Sequence, residues 1–253
     1  MQINLSGKLA LITGATGQLG RVMARTLAAC GADIVIHYHQ NEAQAKILQE
    51  EITALGRHAM IVQADVTDPD GVKKLHQQVT SEMGDPDILV LNAVIQYDWV
   101  PILQQPFEDY QSQFRSCVGH AVLMTQAFVP AMTQRGQGRV IAINTECAMQ
   151  CHPTQSAYVA GKRGMDGIMR VLAREVGPQG VTVNQVAPGD TISEINRVNG
   201  TERIESYEAK VPLRRRGQDQ EIANAVAFLA SDLASFISGV YLPVCGGNVM
   251  PTI

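Results

Sequence analysis

The sequence predicts an α/β fold: a doubly wound parallel sheet of about seven strands, flanked by helices on both faces, in a single domain over residues 1–253. Three observations predict it. Short apolar runs rich in β-branched residues alternate with segments of helical period, and a glycine-rich turn follows the first run. No repeat, low-complexity stretch or long polar linker divides the chain. With 253 residues, 45% of them hydrophobic and 17% charged, the chain can fill one large core and is too apolar to stay disordered.

The first unit is the clearest. The run LALIT (9–13) enters GATGQLG, and RVMARTLAAC then carries Val22, Thr26, Leu27 and Cys30 on one stripe before Gly31 ends the helix. The next strand is DIVIHY (33–38). The runs AMIVQA (59–64), DILVL (87–91), RVIAIN (139–144) and VTVNQVA (181–187) repeat the pattern. Separated by segments of helical period, they are the signature of repeated βαβ units and a buried parallel sheet. Late in the chain, DQEIANAVAFLASD has an acidic start and a stripe of Ile222, Val226 and Leu229, and GVYLPV supplies a short last strand.

A formal net charge of −4 argues against a nucleic-acid surface and for a small-molecule partner. The beginning, MQINLSGKLALITG, lacks a basic segment followed by an apolar core, and no run approaches membrane-spanning length. A cytoplasmic protein without a membrane partner is expected. The cysteines (Cys30, Cys117, Cys147, Cys151, Cys245) are odd in number, scattered and without zinc-site spacing, so reduced thiols and no metal are expected. In CAMQCH three residues separate the cysteines, whereas haem attachment needs two.

Gly14, Gly17 and Gly20 follow a strand and open a helix, where backbone amides and the positive end of the helix dipole can hold a pyrophosphate. Their spacing is G-x-x-G-x-x-G, and the bland alternative is a plain strand-to-helix connection. Position after the first strand favours a Rossmann-type dinucleotide site. An acid at the end of the second strand would bind a ribose 2′-hydroxyl; here the strand ends HYHQN. His39, Gln40 and Asn41 can donate to a 2′-phosphate, which favours NADP over NAD, although NAD stays open. The competing reading makes His37 and His39 a solvated strand end.

In YVAGK, Tyr158 and Lys162 stand one helical turn apart, a pairing that chance also produces. Its surroundings decide. TGATGQLG, DVT (65–67), LNAV (91–94), YVAGK and VNQVAPG (183–189) occur in order, ahead of the ending PLRRRGQDQEIANAVAFLASDLASFISGVYLPVCGG. On these motifs the chain resembles the short-chain dehydrogenase/reductase family over essentially its whole length, most closely the 3-oxoacyl-thioester and ketone reductases. The resemblance implies cofactor contacts from Gly14, Thr16, Gly17, Gln18, Leu19, Gly20, His39, Asp65, Val66, Asn92, Ala93, Pro188, Gly189 and Thr191, with Tyr158 and Lys162 touching the cofactor as well. It implies catalytic roles for Thr145, Tyr158, Lys162 and Ser116.

The chemistry fits those residue types. Hydride addition to a carbonyl leaves a developing alkoxide that needs a positioned proton donor. A phenol with a pKa near 10 is helped by a shift of ~2–3 units, about 3–4 kcal/mol, which the Lys162 ammonium is expected to supply. Thr145, thirteen residues before Tyr158, takes the place of the serine most members carry, and can bond the carbonyl oxygen or cap the following turn. Ser116 falls where the resemblance implies an asparagine holding a relay water. Val94 replaces a glycine beside the cofactor, Gln18 a glycine of the turn, and Cys245 an aspartate.

Between Thr145 and Tyr158, the loop residues Glu146, Cys147, Gln150, His152 and Gln155 are implied to line the substrate pocket. A buried Glu146 would disfavour anions and favour hydroxyl or amine groups; the alternative is a solvent-facing acid. Residues 190–212 fall where the family carries a mobile lid. The run Arg214–Arg216 either steers an anionic substrate or acidic carrier or forms a solvated turn. Arg163, Arg170 and Arg174 share a helix face, and the family implies a subunit contact there, in a homotetramer or homodimer. The function expected is NADP-dependent reduction of a carbonyl, 3-oxoacyl or related, or the reverse oxidation of a secondary alcohol. Two alternatives stay open: a nucleotide-binding regulatory or scaffold protein with little activity, and an NAD-dependent alcohol dehydrogenase.

Overall fold

Each apolar run is a strand in the computed structural model, which describes residues 2–251. Strand β1 (Leu9–Ile12) leads into helix α1 (Gln18–Ala29); β2 (Asp33–Tyr38), α2 (Glu42–Ala54), β3 (Ala59–Gln63) and α3 (Pro69–Glu82) complete the first half. Then come β4 (Ile88–Leu91), α4 (Phe107–Gln113), a π-helical turn (Phe114–Gly119), α5 (His120–Arg135), β5 (Gly138–Ile143), α6 (Cys147–Gln150), α7 (Ser156–Val176) and β6 (Val181–Pro188). The chain ends with β7 (Thr191–Ile192), α8 (Glu194–Asn199), α9 (Glu205–Glu208), β8 (Gly217–Gln218), α10 (Asp219–Ala230) and β9 (Tyr241–Val244).

The main sheet has seven strands in the order β3-β2-β1-β4-β5-β6-β9, all parallel. Strand order reverses between β1 and β4, which opens a crevice at the carboxyl ends of the strands. Alternate strand residues feed two separate cores, as the two-residue period of a strand requires. Ala10, Ile12, Ile34 and Ile36 pack with α1 and α10 on one face. Leu11, Val35, Leu89 and Val140 pack with α3, α5 and α7 on the other. No described helix is long and apolar enough to cross a membrane.

Two glycines set the close approaches that shape the crevice. A Cβ on Gly20 would lie 2.4 Å from the Gly14 carbonyl oxygen, so only glycine lets α1 start hard against the turn. A Cβ on Gly161 would lie 2.9 Å from the Gln113 carbonyl oxygen, and this contact presses α7 onto the end of α4 just before the π-helical turn. Such turns re-aim side chains and concentrate at functional sites; hydrophobic periodicity gave no warning of it.

The segment 190–212 is fastened by ion pairs. Glu194 of α8 binds Arg21 and, at 2.8 Å, Arg25 of α1, while Arg25 also holds Glu51 of α2 at 2.8 Å. Arg21 donates in addition to the Thr16 carbonyl, inside the glycine turn. Arg197 pairs with Asp219 at 2.6 Å. The arginine run divides: Arg214 and Arg215 are exposed in a turn, whereas Arg216 faces inward. Arg216 is buried, pairs with Asp190 at 2.7 Å and donates to the Thr201 and Glu202 carbonyls, and Arg215 pairs with Glu221. Arg163 and Arg170 are likewise engaged within the chain, on the Ala148 carbonyl and on Asp166.

Two outcomes follow from this packing. Gly20→Ala should lower unfolding stability by about 1–3 kcal/mol through overpacking, measured as a fall in the urea midpoint. Glu194→Gln should leave that midpoint within about 0.5 kcal/mol, as for other partly exposed pairs. It should nevertheless speed protease cleavage within 190–212 several-fold, read by limited proteolysis.

Candidate active site

Two adjoining cavities occupy the crevice, about 880 Å³ and about 610 Å³. The larger is lined by Gly14, Thr16, Gly17, Gln18, Leu19, Gly20, His39, Asp65, Val66, Asn92, Ala93 and Ser116. The smaller is lined by Thr145, Tyr158, Lys162, Pro188, Gly189 and Thr191, with Leu19 and Asn92 on the border of both. The fold thus brings the candidate catalytic and cofactor-contact residues together around the crevice, in two groups.

The glycine turn is held from behind. Asn92 Nδ2 donates to the Thr13 and Gly14 carbonyls, each at 3.0 Å, and Thr13 Oγ1 accepts from the amides of Asn92 and Ala93. Gly17 precedes α1 without a side-chain cap, so the first helical amides stay free to meet an anion in the cavity. His37 is not the solvated strand end considered above. It is buried, its Nδ1 accepts from the Gly14 amide at 3.0 Å, and its Nε2 lies 3.1 Å from the Ala64 carbonyl. A backbone amide only donates, so the proton sits on Nε2. Burial lowers the His37 pKa to about 4, and the ring is neutral.

His39, Gln40 and Asn41 stand at the outer end of the larger cavity. Asp65 Oδ1 accepts from the Thr67 amide and hydroxyl at 2.8 and 2.7 Å. Burial pushes the Asp65 pKa up, but those two bonds and nearby His39 outweigh it, and the net shift is downward. Val94 has no left-handed φ and lines both cavities, so the position accepts a side chain.

Tyr158 and Lys162 project from α7 into the smaller cavity. Lys162 is buried, its Nζ donates to the Ile143 carbonyl at 2.6 Å, and it lies 5.8 Å from the centre of the Tyr158 ring. Burial lowers the lysine pKa, with Cys117 opposing. The expected acidification of the phenol is not what this arrangement produces. Burial raises the Tyr158 pKa well above the ordinary tyrosine value, Cys147 and Cys117 add to the rise, and Thr145 pulls against it. Desolvation of the phenolate outweighs an ammonium whose charge is already directed at a carbonyl.

Thr145 follows the end of β5. Its amide donates to Asn144 Oδ1 at 2.9 Å and its carbonyl accepts from the Tyr241 hydroxyl. Its own Oγ1 accepts from the Cys147 amide at 3.2 Å, so the residue caps the turn while facing the cavity. Ser116 is buried in the π-helical turn, and its hydroxyl has no hydrogen-bond partner among the described residues.

Three further residues complete the site without having been foreseen. Tyr97 accepts a hydrogen bond from the Tyr158 amide at 2.7 Å, and Trp99 stacks on the Tyr158 ring at 5.9 Å. Both lie in the irregular segment after β4, where no periodicity marks them. Tyr207 of α9 donates to Glu146 at 2.9 Å and accepts from the Asp190 amide at 2.8 Å. Glu146 is therefore not a solvent-facing acid. It is buried, it also accepts from Asn248 at 3.1 Å, and burial raises its pKa while the Tyr207 and Asn248 bonds oppose that rise.

Comparison with known proteins agrees with this geometry. Residues 14–248 match the family described as enoyl-(acyl carrier protein) reductase. The 3-oxoacyl-[acyl-carrier-protein] reductase FabG of Escherichia coli (strain K12) is 37% identical, over 98% of this chain and 100% of that protein. FabG of Staphylococcus aureus (strain Mu50 / ATCC 700699) is 35% identical, over 96% and 98% respectively. A solved structure of a blue fluorescent protein from a metagenomic library, in complex with NADPH, aligns with a TM-score of 0.89 at 34% identity, covering 98% of this chain and 100% of that one. A glycine turn held against Asn92, a Tyr158/Lys162 pair on α7 and full-length similarity of this kind converge on one conclusion: the chain belongs to the short-chain dehydrogenase/reductase family of oxidoreductases.

Proposed function

We propose that this protein is an NADP(H)-dependent carbonyl reductase that interconverts a ketone and a secondary alcohol. The observation that carries the reading is the meeting of Thr145, Tyr158 and Lys162 in a cavity that opens directly onto the glycine turn. The FabG relatives and the NADPH complex of a similar structure support the cofactor and the reaction class. The larger cavity suits a dinucleotide: the uncapped amides at the start of α1 would hold the pyrophosphate, Asp65 and Val66 the adenine, and His39 with Gln40 and Asn41 a 2′-phosphate.

When bound, the nicotinamide supplies or takes up the hydride at the carbonyl carbon. This chain's residues do the rest. Thr145 holds the carbonyl oxygen, and Tyr158 gives it the phenolic proton as the alkoxide develops, so ketone, hydride and proton sum to the secondary alcohol. The raised Tyr158 pKa keeps the phenol protonated through neutral pH, the form that reduction needs. Lys162 would hold the ribose and return the proton to Tyr158, Ser116 would bind a relay water, and Pro188, Gly189 and Thr191 would border the nicotinamide. Trp99 and residues 190–212, acting as a lid, keep bulk water from the reacting atoms. The reading also takes the protein to be cytoplasmic and assembled as a homotetramer or homodimer. Exposed Phe107 and Phe114, in an apolar groove against α7, support a contact with a second copy.

Tyr158→Phe should cut kcat/KM for ketone reduction by about 10²–10⁴-fold, the usual worth of a positioned acid, while NADPH affinity falls far less; spectrophotometric NADPH oxidation and a binding titration check both. Wild type and mutant equally inert while NADPH still binds would leave only a nucleotide-binding scaffold. His39→Asp should weaken NADPH relative to NADH by about tenfold or more, through repulsion of the 2′-phosphate, measured by titrating each nucleotide.

A further inference from the structure

Tyr158 stands in the first turn of α7, where a helix is least secure. Gln155, the residue before the helix, gives no side-chain cap, so the amides of Ser156, Ala157 and Tyr158 have no partner within the helix. A capping side chain ordinarily meets the second or third of these amides. Here the third is met from 61 positions away: the Tyr97 hydroxyl oxygen accepts from the Tyr158 amide at 2.7 Å. Lys162, one turn deeper, has its own anchor on the Ile143 carbonyl. That anchor sets where the helix runs. The winding of the first turn, and with it the place of the Tyr158 phenol, needs a separate hold.

Tyr97 is well mounted for this task. The segment after β4 has no regular structure, yet two buried glutamines pin its backbone on either side of Tyr97. Gln113 Nε2 donates to the Ile95 carbonyl at 2.8 Å, and Gln105 Nε2 to the Asp98 carbonyl at 3.1 Å. Gln105 Oε1 also accepts from the Val100 amide at 3.2 Å. From the same segment Trp99 stacks on the Tyr158 ring at 5.9 Å, so one stretch of chain holds both the backbone and the ring of that residue. Tyr110 of α4 makes a bond of the same length two residues earlier in α7, between its hydroxyl and that of Ser156, and leaves the Tyr158 amide to Tyr97. We propose that Tyr97 is a positioning residue for the reaction: it caps α7 from outside the helix and so fixes the Tyr158 phenol beside the carbonyl. This rests on the carbonyl-reductase reading above and adds a residue that works through the proton donor.

The test follows NADPH oxidation by the full chain, with whichever member of a panel of 2-alkanones and 3-oxoacyl-coenzyme A thioesters the wild type turns over fastest. Tyr97→Phe removes the acceptor and keeps the ring. It should lower kcat by about 10–100-fold, the cost of a slightly misplaced catalytic group, while KM for the ketone and Kd for NADPH stay within about threefold. In a Tyr158→Phe background the same change should cost less than about twofold, because a group that acts through Tyr158 then has nothing to act on. Hydrogen exchange at the Tyr158 amide should speed up by about tenfold or more. Tyr110→Phe, which leaves that amide its acceptor, should change kcat by less than about threefold.

NADPH titration confirms that each variant is folded. A kcat that Tyr97→Phe leaves unmoved, an equal loss from Tyr110→Phe, or a loss that adds in full to that of Tyr158→Phe overturns the proposal, and ketone turnover by the wild type then keeps the reductase reading standing. Failure of Tyr97→Phe to bind NADPH also overturns it, since the bond would then support the fold as a whole. Wild type that binds NADPH and reduces no member of the panel overturns the reductase reading, and the role of Tyr97 with it.

Discussion

A primary ammonium that is almost wholly buried has to find acceptors inside the protein, and Lys162 is such a group. The Ile143 carbonyl at the end of β5 accepts a hydrogen bond from it, and this bond ties the first part of α7 to the sheet. Asn144 reinforces the tie by donating to the Lys162 carbonyl and to Gln185 of β6. With that stretch of helix fixed, Tyr158 one turn earlier has a single place to go. Gly161, between the two, lets the same helix sit against the Gln113 carbonyl. Burying the charge is unfavourable in itself, and the surrounding architecture is organised so that the charge is never left without a partner.

The sheet was legible because its central strands are buried on both faces and stand out as short apolar runs; Leu9–Ile12 and Ile88–Leu91 are buried throughout. The residues of the glycine turn were legible because short separations along the chain survive as short separations in space. What escaped depends on contacts between distant segments. Tyr97 and Trp99 reach Tyr158 from 61 and 59 positions away, and Tyr207 meets Glu146 across a similar gap. Nothing local in those stretches marks them. The π-helical turn at Phe114–Gly119 has a wider ring than a sequence period of 3.6 anticipates.

The charge state of the tyrosine shows the same limit from the other side. A lysine four residues along suggests an acidified phenol, because the sequence displays the charge and not the solvent. In the folded chain the loss of water from around the phenolate is the larger effect, and the direction reverses. Arg216 makes a parallel case: one member of a basic run becomes an inward strut once Asp190 and two backbone carbonyls are placed beside it, while its neighbours stay exposed.

The stacking of Trp99 on Tyr158 has an optical consequence. The chain holds one tryptophan, and it stands over the phenol in the segment that borders both cavities. Emission from this indole reports on a single location, so quenching or energy transfer to a bound nicotinamide would follow occupancy of the reacting space without any added label.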